Sequence, residues 1–350
     1  MAGALQAAGS SVVLFLPKES PSWKDAASRG LPIIHLPAHR KYYDIPKAWK
    51  LAKILREEKV GILLFRDNFD MSLCASVKFI LGKNISTIYF QGMQLGVPKK
   101  NIFHRLRYNF IDAWVSPLEW LKNQAIRMAA ISPEKIWVVP LGTDISVIEN
   151  RVQRATLRAS IGIPENHLCA GIIGRLDRAK GQDIAIQAIA MLQGQGKNMH
   201  LIIQGEATRG EGDLFAEELH RLVRKNNLDK LVHFLPFNKD VSAFYNSIDI
   251  AVVASKNETF GMVTLEAMAW GKAIVGTNSA GTPELLEGGA CGLLFEPANI
   301  SQLSACLMTL SDEPELRESL AAAAKCRSGE FSIAQMTERL QALFRKLKDA

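Results

Sequence analysis

Short apolar runs alternate along the whole chain with polar stretches of helical spacing. In the first half, residues 12–16, 31–35, 60–65, 86–90, 113–115 and 136–139 read as strands. Helical patterns such as 46–58 and 70–81 lie between them. In the second half the runs fall at 168–173, 200–204, 232–235, 248–254, 273–276 and 292–295. This alternation predicts an α/β chain of two Rossmann-like, doubly wound parallel-sheet domains facing a cleft. The expected division is 1–145, then 150–330, with a join near 140–151 and a closing segment 331–350 that holds a helix over 333–348.

One strand-to-helix junction carries candidate chemistry. The run ending at Ala254 is followed by Ser255-Lys256-Asn257-Glu258-Thr259-Phe260-Gly261, then by a helix-forming stretch through Glu266. In an open parallel sheet this sets Glu258 and the Phe260 and Gly261 amides at the carboxyl end of a strand, where ligands collect. The unpaired N–H groups that open the following helix suit a phosphate. Two carboxylates beside an anion repel it unless they face something else, and sugar or ribose hydroxyls are the natural partners. The combination reads as a nucleotide-sugar site. Two glutamates at this spacing also arise by chance, solvated on a plain amphipathic helix.

The wider context separates these readings. Pro140-Leu141-Gly142-Thr143-Asp144, Gly174-Arg175-Leu176 with Lys180-Gly181, the glutamate segment, Gly271-Lys272-Ala273-Ile274-Val275 and Gly281-Thr282-Pro283-Glu284 follow one another in this order. From about residue 136 onward the chain resembles the retaining GT-B-fold glycosyltransferases of family 4, the "group 1" family, and the first half matches less strongly. The resemblance implies transfer of a sugar from a nucleotide-diphosphate donor to a glycan or lipid-linked acceptor, with retention. It implies that Glu258 holds sugar hydroxyls, Glu266 the ribose diol, and Arg175 and Lys180 the two phosphates, with the Phe260 and Gly261 amides as neutral donors. A diphosphate gains negative charge as the glycosidic bond breaks, so fixed cations lower that barrier. Gly174 opens the cationic segment, and Gly205 heads a polar loop, 205–212, that either approaches the base or ribose or is a surface turn.

The resemblance also sets expectations for the first half. Acceptor-side residues are expected after the strands ending at Phe65 and Phe90, which nominates Asp67 and Gln91. A glutamine bonds a hydroxyl but shuttles no proton at neutral pH. Asp67 orients an acceptor hydroxyl or makes a structural bond at the strand end. Front-face attack, with the departing phosphate taking the acceptor's proton, needs no protein nucleophile, and none is nominated. There is no Asp-x-Asp motif, so neither a metal nor another cofactor is expected. The final helix is expected to cross back to the first domain. Relatives begin with a strand and a glycine-rich loop, whereas this chain opens in what reads as the following helix, 2–8. Either the true start lies upstream or part of the cleft is lost. In the second case the alternative function is a non-catalytic sugar-nucleotide-binding or partner protein, and neighbouring strands lose their pairing.

Charge adds a second theme. The chain carries 42 Lys and Arg against 35 Asp and Glu, and residues 1–150 hold 20 and 12 of these. All of the basic excess therefore lies in the first half. No stacking or groove-reading motif points to nucleic acid. The stretch Lys99 to Tyr108 mixes cations with apolar anchors and suits an anionic membrane surface; a solvated helix face is the other reading. No apolar run reaches membrane-spanning length. The opening residues lack the positive leader of a signal peptide. Five scattered cysteines form no disulfide or metal spacing, which favours a reducing cytoplasm, with peripheral association at the inner membrane face. An oxidoreductase would want G-x-G-x-x-G after its first strand, and residues 171–175 do not supply it.

Overall fold

The structure, a computed structural model, describes residues 1–146, 151–207 and 214–349, with backbone only for 151–153. It separates into two compact units, Met1–Gly142 with Ile333–Ala350, and Thr143–Ser332.

The second unit has one continuous parallel sheet. Its strands are β7 (Cys169–Ile173), β8 (His200–Gln204), β9 (Val232–Leu235), β10 (Ile250–Val253), β11 (Ala273–Thr277) and β12 (Leu293–Phe295), in spatial order β12-β11-β10-β7-β8-β9. The order reverses between β7 and β10. That is the switch point at which an open α/β sheet leaves a crevice beyond its strand ends. β8 and β11 are buried along their whole length, as expected of strands covered on both faces. Ile186, Ile189 and Leu192 of one helix join Leu201, Ile203, Val252 and Leu307 in the core.

A buried ion pair fastens the Arg151–Ser160 helix to this sheet. Arg158 is 0% exposed. Its Nη2 donates to Asp249 Oδ2 at 2.8 Å, and its remaining N–H groups reach the Ser247, Glu165 and His167 carbonyls. Asp249 also accepts from Arg154 and from the Cys169 amide. With every polar atom partnered, the pair is tolerated inside; without Asp249 the Arg158 guanidinium would lose its buried counter-charge.

The first unit is built differently. Its strands are β1 (Leu14–Leu16), β2 (Ile33–His35), β3 (Ile62–Phe65), β4 (Ser86–Phe90), β5 (Ala113–Ser116) and β6 (Ile136–Val138), all paired in parallel. They form two sheets, β1-β2 and β3-β4-β5-β6. Among the described residues β1 has no strand partner but β2, and β3 none but β4. In the second unit β7 joins β8 to β10, and among the described residues no strand joins β1 to β3 in the same way. β1 is only half-buried throughout.

Local chemistry explains the helices around these strands. Ser20, Asp44 and Asn101 accept the backbone N–H three residues on, and Pro21 and Pro46 sit in first turns. The helix Ile333–Lys348 carries Met336, Leu340 and Leu343 on one stripe, packed on Ile88, Phe90 and Val115. Gln341 donates to the Ala8 carbonyl from the same helix. The closing helix thus belongs with the first unit. Among the described residues no helix is long and apolar enough to cross a membrane.

Candidate active site

The second unit gathers its candidate side chains at the carboxyl ends of β7, β8 and β10. Between β10 and the helix Met262–Ala269 the chain turns through Gly261, at φ +93°. A Cβ there would lie 3.0 Å from Thr264 Oγ1 and 3.3 Å from Glu258 Cγ, so both the backbone angle and the space call for glycine. The Gly281 amide donates to the Glu258 carbonyl at 3.0 Å, tying the Gly281–Glu284 segment to this turn.

Lys180 arrives from β7. Asp177 accepts from the Ala179 amide and shapes a short turn. Gly181, at φ +73°, then lies against β10: an added Cβ would meet the Ala254 carbonyl oxygen at 2.5 Å. The Lys256 amide donates to the Ala179 carbonyl at 2.9 Å. These contacts bring Lys180 Nζ to 2.7 Å from Glu258 Oε2, with both side chains about a quarter exposed or less. Lysine has three N–H donors, so two are left for an anion while one holds the carboxylate.

Glu266 points elsewhere. Tyr245 donates its hydroxyl to Glu266 Oε2 at 3.1 Å. Burial raises the Glu266 carboxyl above its ordinary range, and the tyrosine bond works against that shift. The buried Tyr245 stacks on Trp270 at 5.8 Å. Nothing in the sequence singled out Tyr245, because it comes from a separate short helix, Ser242–Ser247.

Gly174 and Gly205 end the neighbouring strands β7 and β8 and touch. A Cβ on Gly205 would fall 1.9 Å from the Gly174 carbonyl oxygen, so the close approach of these strand ends excludes any side chain. Residues 208–212 of the loop after Gly205 lie outside the described residues. Gln182 is buried, donates to the Arg175 carbonyl at 2.7 Å, and has an unpartnered Oε1; Thr264 and Thr282 have unpartnered buried hydroxyls. Phe260 is buried, 6.4 Å from Phe331 between ring centroids. Arg175, by contrast, is 63% exposed beside Asp177 at 3.7 Å, and the structure does not bring it to the Lys180–Glu258 pair. Among the described residues no cluster of His, Cys, Asp or Glu has the arrangement of a metal site.

The first-unit candidates behave as structural residues. Gln91 is fully buried. Its Oε1 accepts from Trp114 Nε1 at 2.9 Å and from Ser116 Oγ at 2.8 Å, and its Nε2 donates to the Met93 carbonyl. Its polar atoms thus brace the ends of β4 and β5. Asp67 is exposed and accepts from the Phe69 amide at 2.8 Å, which is the strand-end bond foreseen as its other reading. A small recess lies in this unit, bounded by Phe15, Leu36, Leu51, Ile54 and Leu73, and none of the candidate residues lines it.

Two Rossmann-like parallel-sheet units, one bearing a Lys–Glu pair and glycine turns at its switch point, define the GT-B class of glycosyltransferase architecture. The chain belongs to the glycosyl transferases group 1 family: that family's model matches residues 153–327, and the Glycosyltransferase Family 4 model matches residues 1–147.

Among curated relatives, a D-inositol 3-phosphate glycosyltransferase of Corynebacterium jeikeium is 31% identical over 220 residues, covering 61% of this chain and 52% of that protein. One from Mycobacterium bovis is 29% identical over 229 residues, covering 64% and 46%. The chain spans about half the length of the curated relatives it matches. A glycosyltransferase structure from Rickettsia africae superposes with a TM-score of 0.87 at 18% identity, over 99% of this chain and 92% of that one. The Anabaena HepE protein, in complex with UDP, superposes at 0.83 with 21% identity, over 95% and 92%.

Proposed function

We propose that the protein transfers a glycosyl group from a nucleoside-diphosphate sugar to a hydroxyl of a glycan or lipid-linked acceptor, with retention of configuration. The observation that carries this reading is the Lys180–Glu258 pair at the β7/β10 switch point, beside a glycine-opened helix. Lys180 offers its free N–H groups to the diphosphate, joined by the swung-in Arg175 and the first amides of the helix. Glu258 keeps Oε1 for sugar hydroxyls, and Glu266 with Tyr245 faces the ribose diol. That UDP and UDP-glucose are bound by HepE, which shares the fold, supports a nucleotide-sugar donor.

In the reaction the sugar C1–O bond to the β-phosphate breaks while C1 bonds the acceptor oxygen on the same face. The acceptor's proton passes to the departing phosphate oxygen, so no protein nucleophile is used. The cationic side chains stabilise the charge that builds on the leaving diphosphate. The proposal includes independence from divalent cations, and a place in cell-envelope polysaccharide synthesis in the cytoplasm, at the inner face of the membrane. One observation favours a second reading, binding without turnover: the first unit's sheet is divided between β1 and β3.

The test is incubation of the full chain with a panel of nucleotide sugars and hydroxyl acceptors, with and without EDTA, reading the product anomer by NMR. Transfer with retention, lost in Glu258→Ala, is expected. Stabilisation by nucleotide sugar without any product selects the second reading. Undiminished transfer in Glu258→Ala sinks the site.

A further inference from the structure

The helix Ile102–Asn109 is turned inside out. Its Arg107 is 5% exposed, whereas Phe103 is 64% exposed, with Ile102 and Leu106 open on the same side. At 100° per residue these three apolar side chains form one stripe. The inward Arg107 bonds Ser72 Oγ at 3.3 Å and His104 Nδ1, and its guanidinium lies over the Tyr42 ring at 5.4 Å. Arg107 therefore joins the helix to a second exposed apolar group. Tyr42, Tyr43, Ile45 and Trp49 flank the start of the Ile45–Glu57 helix, and all four are exposed.

The sequence around this surface is mostly basic. No Asp or Glu occurs between Asp70 and Asp112, and Asp44 is the only acid between Asp25 and Glu57. Asp44 is held locally, accepting from the Arg40 and Lys47 amides. Exposed cations flank the apolar side chains: Arg40 and Lys41 beside Tyr42, Lys100 and Arg105 beside Phe103. Contiguous exposed apolar groups on a folded unit mark an interaction surface. A stripe of aromatic and aliphatic side chains rimmed by Lys and Arg, with Asp44 the one acid among them and held by its local bonds, matches the boundary of an anionic bilayer, where the rings enter the headgroup layer and the cations meet phosphate.

We propose that this face of the first unit, centred on Phe103 and Tyr42, docks the protein on an anionic phospholipid surface. The inference rests on the peripheral association proposed above, to which it gives residues, and not on the transfer reaction. The occupant is a lipid surface rather than a second copy of the chain, because two such faces would bring Arg40, Lys41, Lys100 and Arg105 against their own kind with only Asp44, already bonded to the Arg40 and Lys47 amides, to meet them.

Flotation of the full chain with vesicles tests it, using phosphatidylcholine alone or with about 30 mol % phosphatidylglycerol, at low salt and at about 0.5 M salt. The expected result is partition at least about tenfold stronger on the anionic vesicles, weakened by salt. Phe103→Ser with Leu106→Ser, and separately Lys100→Glu with Arg105→Glu, should each cut that partition by about tenfold or more. Both pairs are exposed, so melting temperature and nucleotide-sugar transfer on a soluble acceptor should be unchanged. That keeps a failure of docking distinct from a failure of the active-site reading. Equal partition on neutral and anionic vesicles, or variants that bind like the parent, overturns the proposal. So does a concentration-dependent dimer that the Phe103→Ser, Leu106→Ser variant abolishes.

Discussion

The two units use the same alternation of strand and helix and reach different ends. In the second, β7 lies between β8 and β10, its glycines let adjacent strand ends close up, and Lys180 is carried to Glu258. In the first, nothing among the described residues occupies the corresponding place, and β1 and β3 belong to separate sheets. A functional constellation at strand ends depends on the central strand that aligns those ends. The unit that has it brings Lys180 to Glu258, whereas Gln91 and Asp67 of the other bond their own strand ends.

The largest test of this contrast is kinetic. Lys180→Ala should lower transfer by about 10²–10³-fold, the range for removing a fixed donor from a developing charge. Asp67→Ala, in the first unit, should change it by less than about tenfold. A reversed order would place the chemistry in the divided unit.

Stability should divide along the same line. Arg158→Met leaves the Ser247, Glu165 and His167 carbonyls without their donor and Asp249 with Arg154 and the Cys169 amide, and should destabilise the second unit by about 1–3 kcal/mol, read by denaturant titration. His200 supplies a pH-dependent counterpart. It is buried, hydrogen-bonded to His167 and His233 at 3.1 Å on each side. Burial first, then the neighbouring His233, His167 and Arg158, push its pKa down from 6.5 to about 4. The unfolded chain therefore binds a proton that the folded one refuses between those values. Stability should be full above about pH 6.5, fall as pH drops toward 4, and level off below, for a loss of up to about 3 kcal/mol. His200→Gln should flatten that slope. A wild-type slope of opposite sign contradicts the arrangement.

Most of the strand pattern was legible in the sequence because buried parallel strands are continuous apolar runs. β4, β8 and β9 fall where the apolar runs place them. Glu258 and Lys180 were legible through spacing and resemblance. What escaped was each bond whose partner is remote in sequence. Gln91 looked like a cleft residue because its customers, Trp114 and Ser116, are 23 and 25 positions away. Tyr245 on Glu266 and Arg158 on Asp249 share that property, and no local pattern announces them.

A smaller effect probes the strand ends directly. Gly205→Ala forces a methyl group onto the Gly174 carbonyl and should cost about 1–3 kcal/mol in denaturant titration. Gly3→Ala, which meets nothing within 4 Å, should cost nothing measurable. The smallest difference is one of rate: amides of β1 and β2 should exchange hydrogen faster than those of β7 and β8 in the full chain.

The central claim, that a nucleoside diphosphate is held at the carboxyl ends of β7 and β10, is tested most directly by amide hydrogen exchange of the full chain with UDP, GDP and ADP added in turn. The account predicts that at least one slows exchange around Lys180, Gly205 and Gly261, and that Lys180→Ala abolishes the effect. Protection confined to the first unit, or equal protection in the variant, would contradict it.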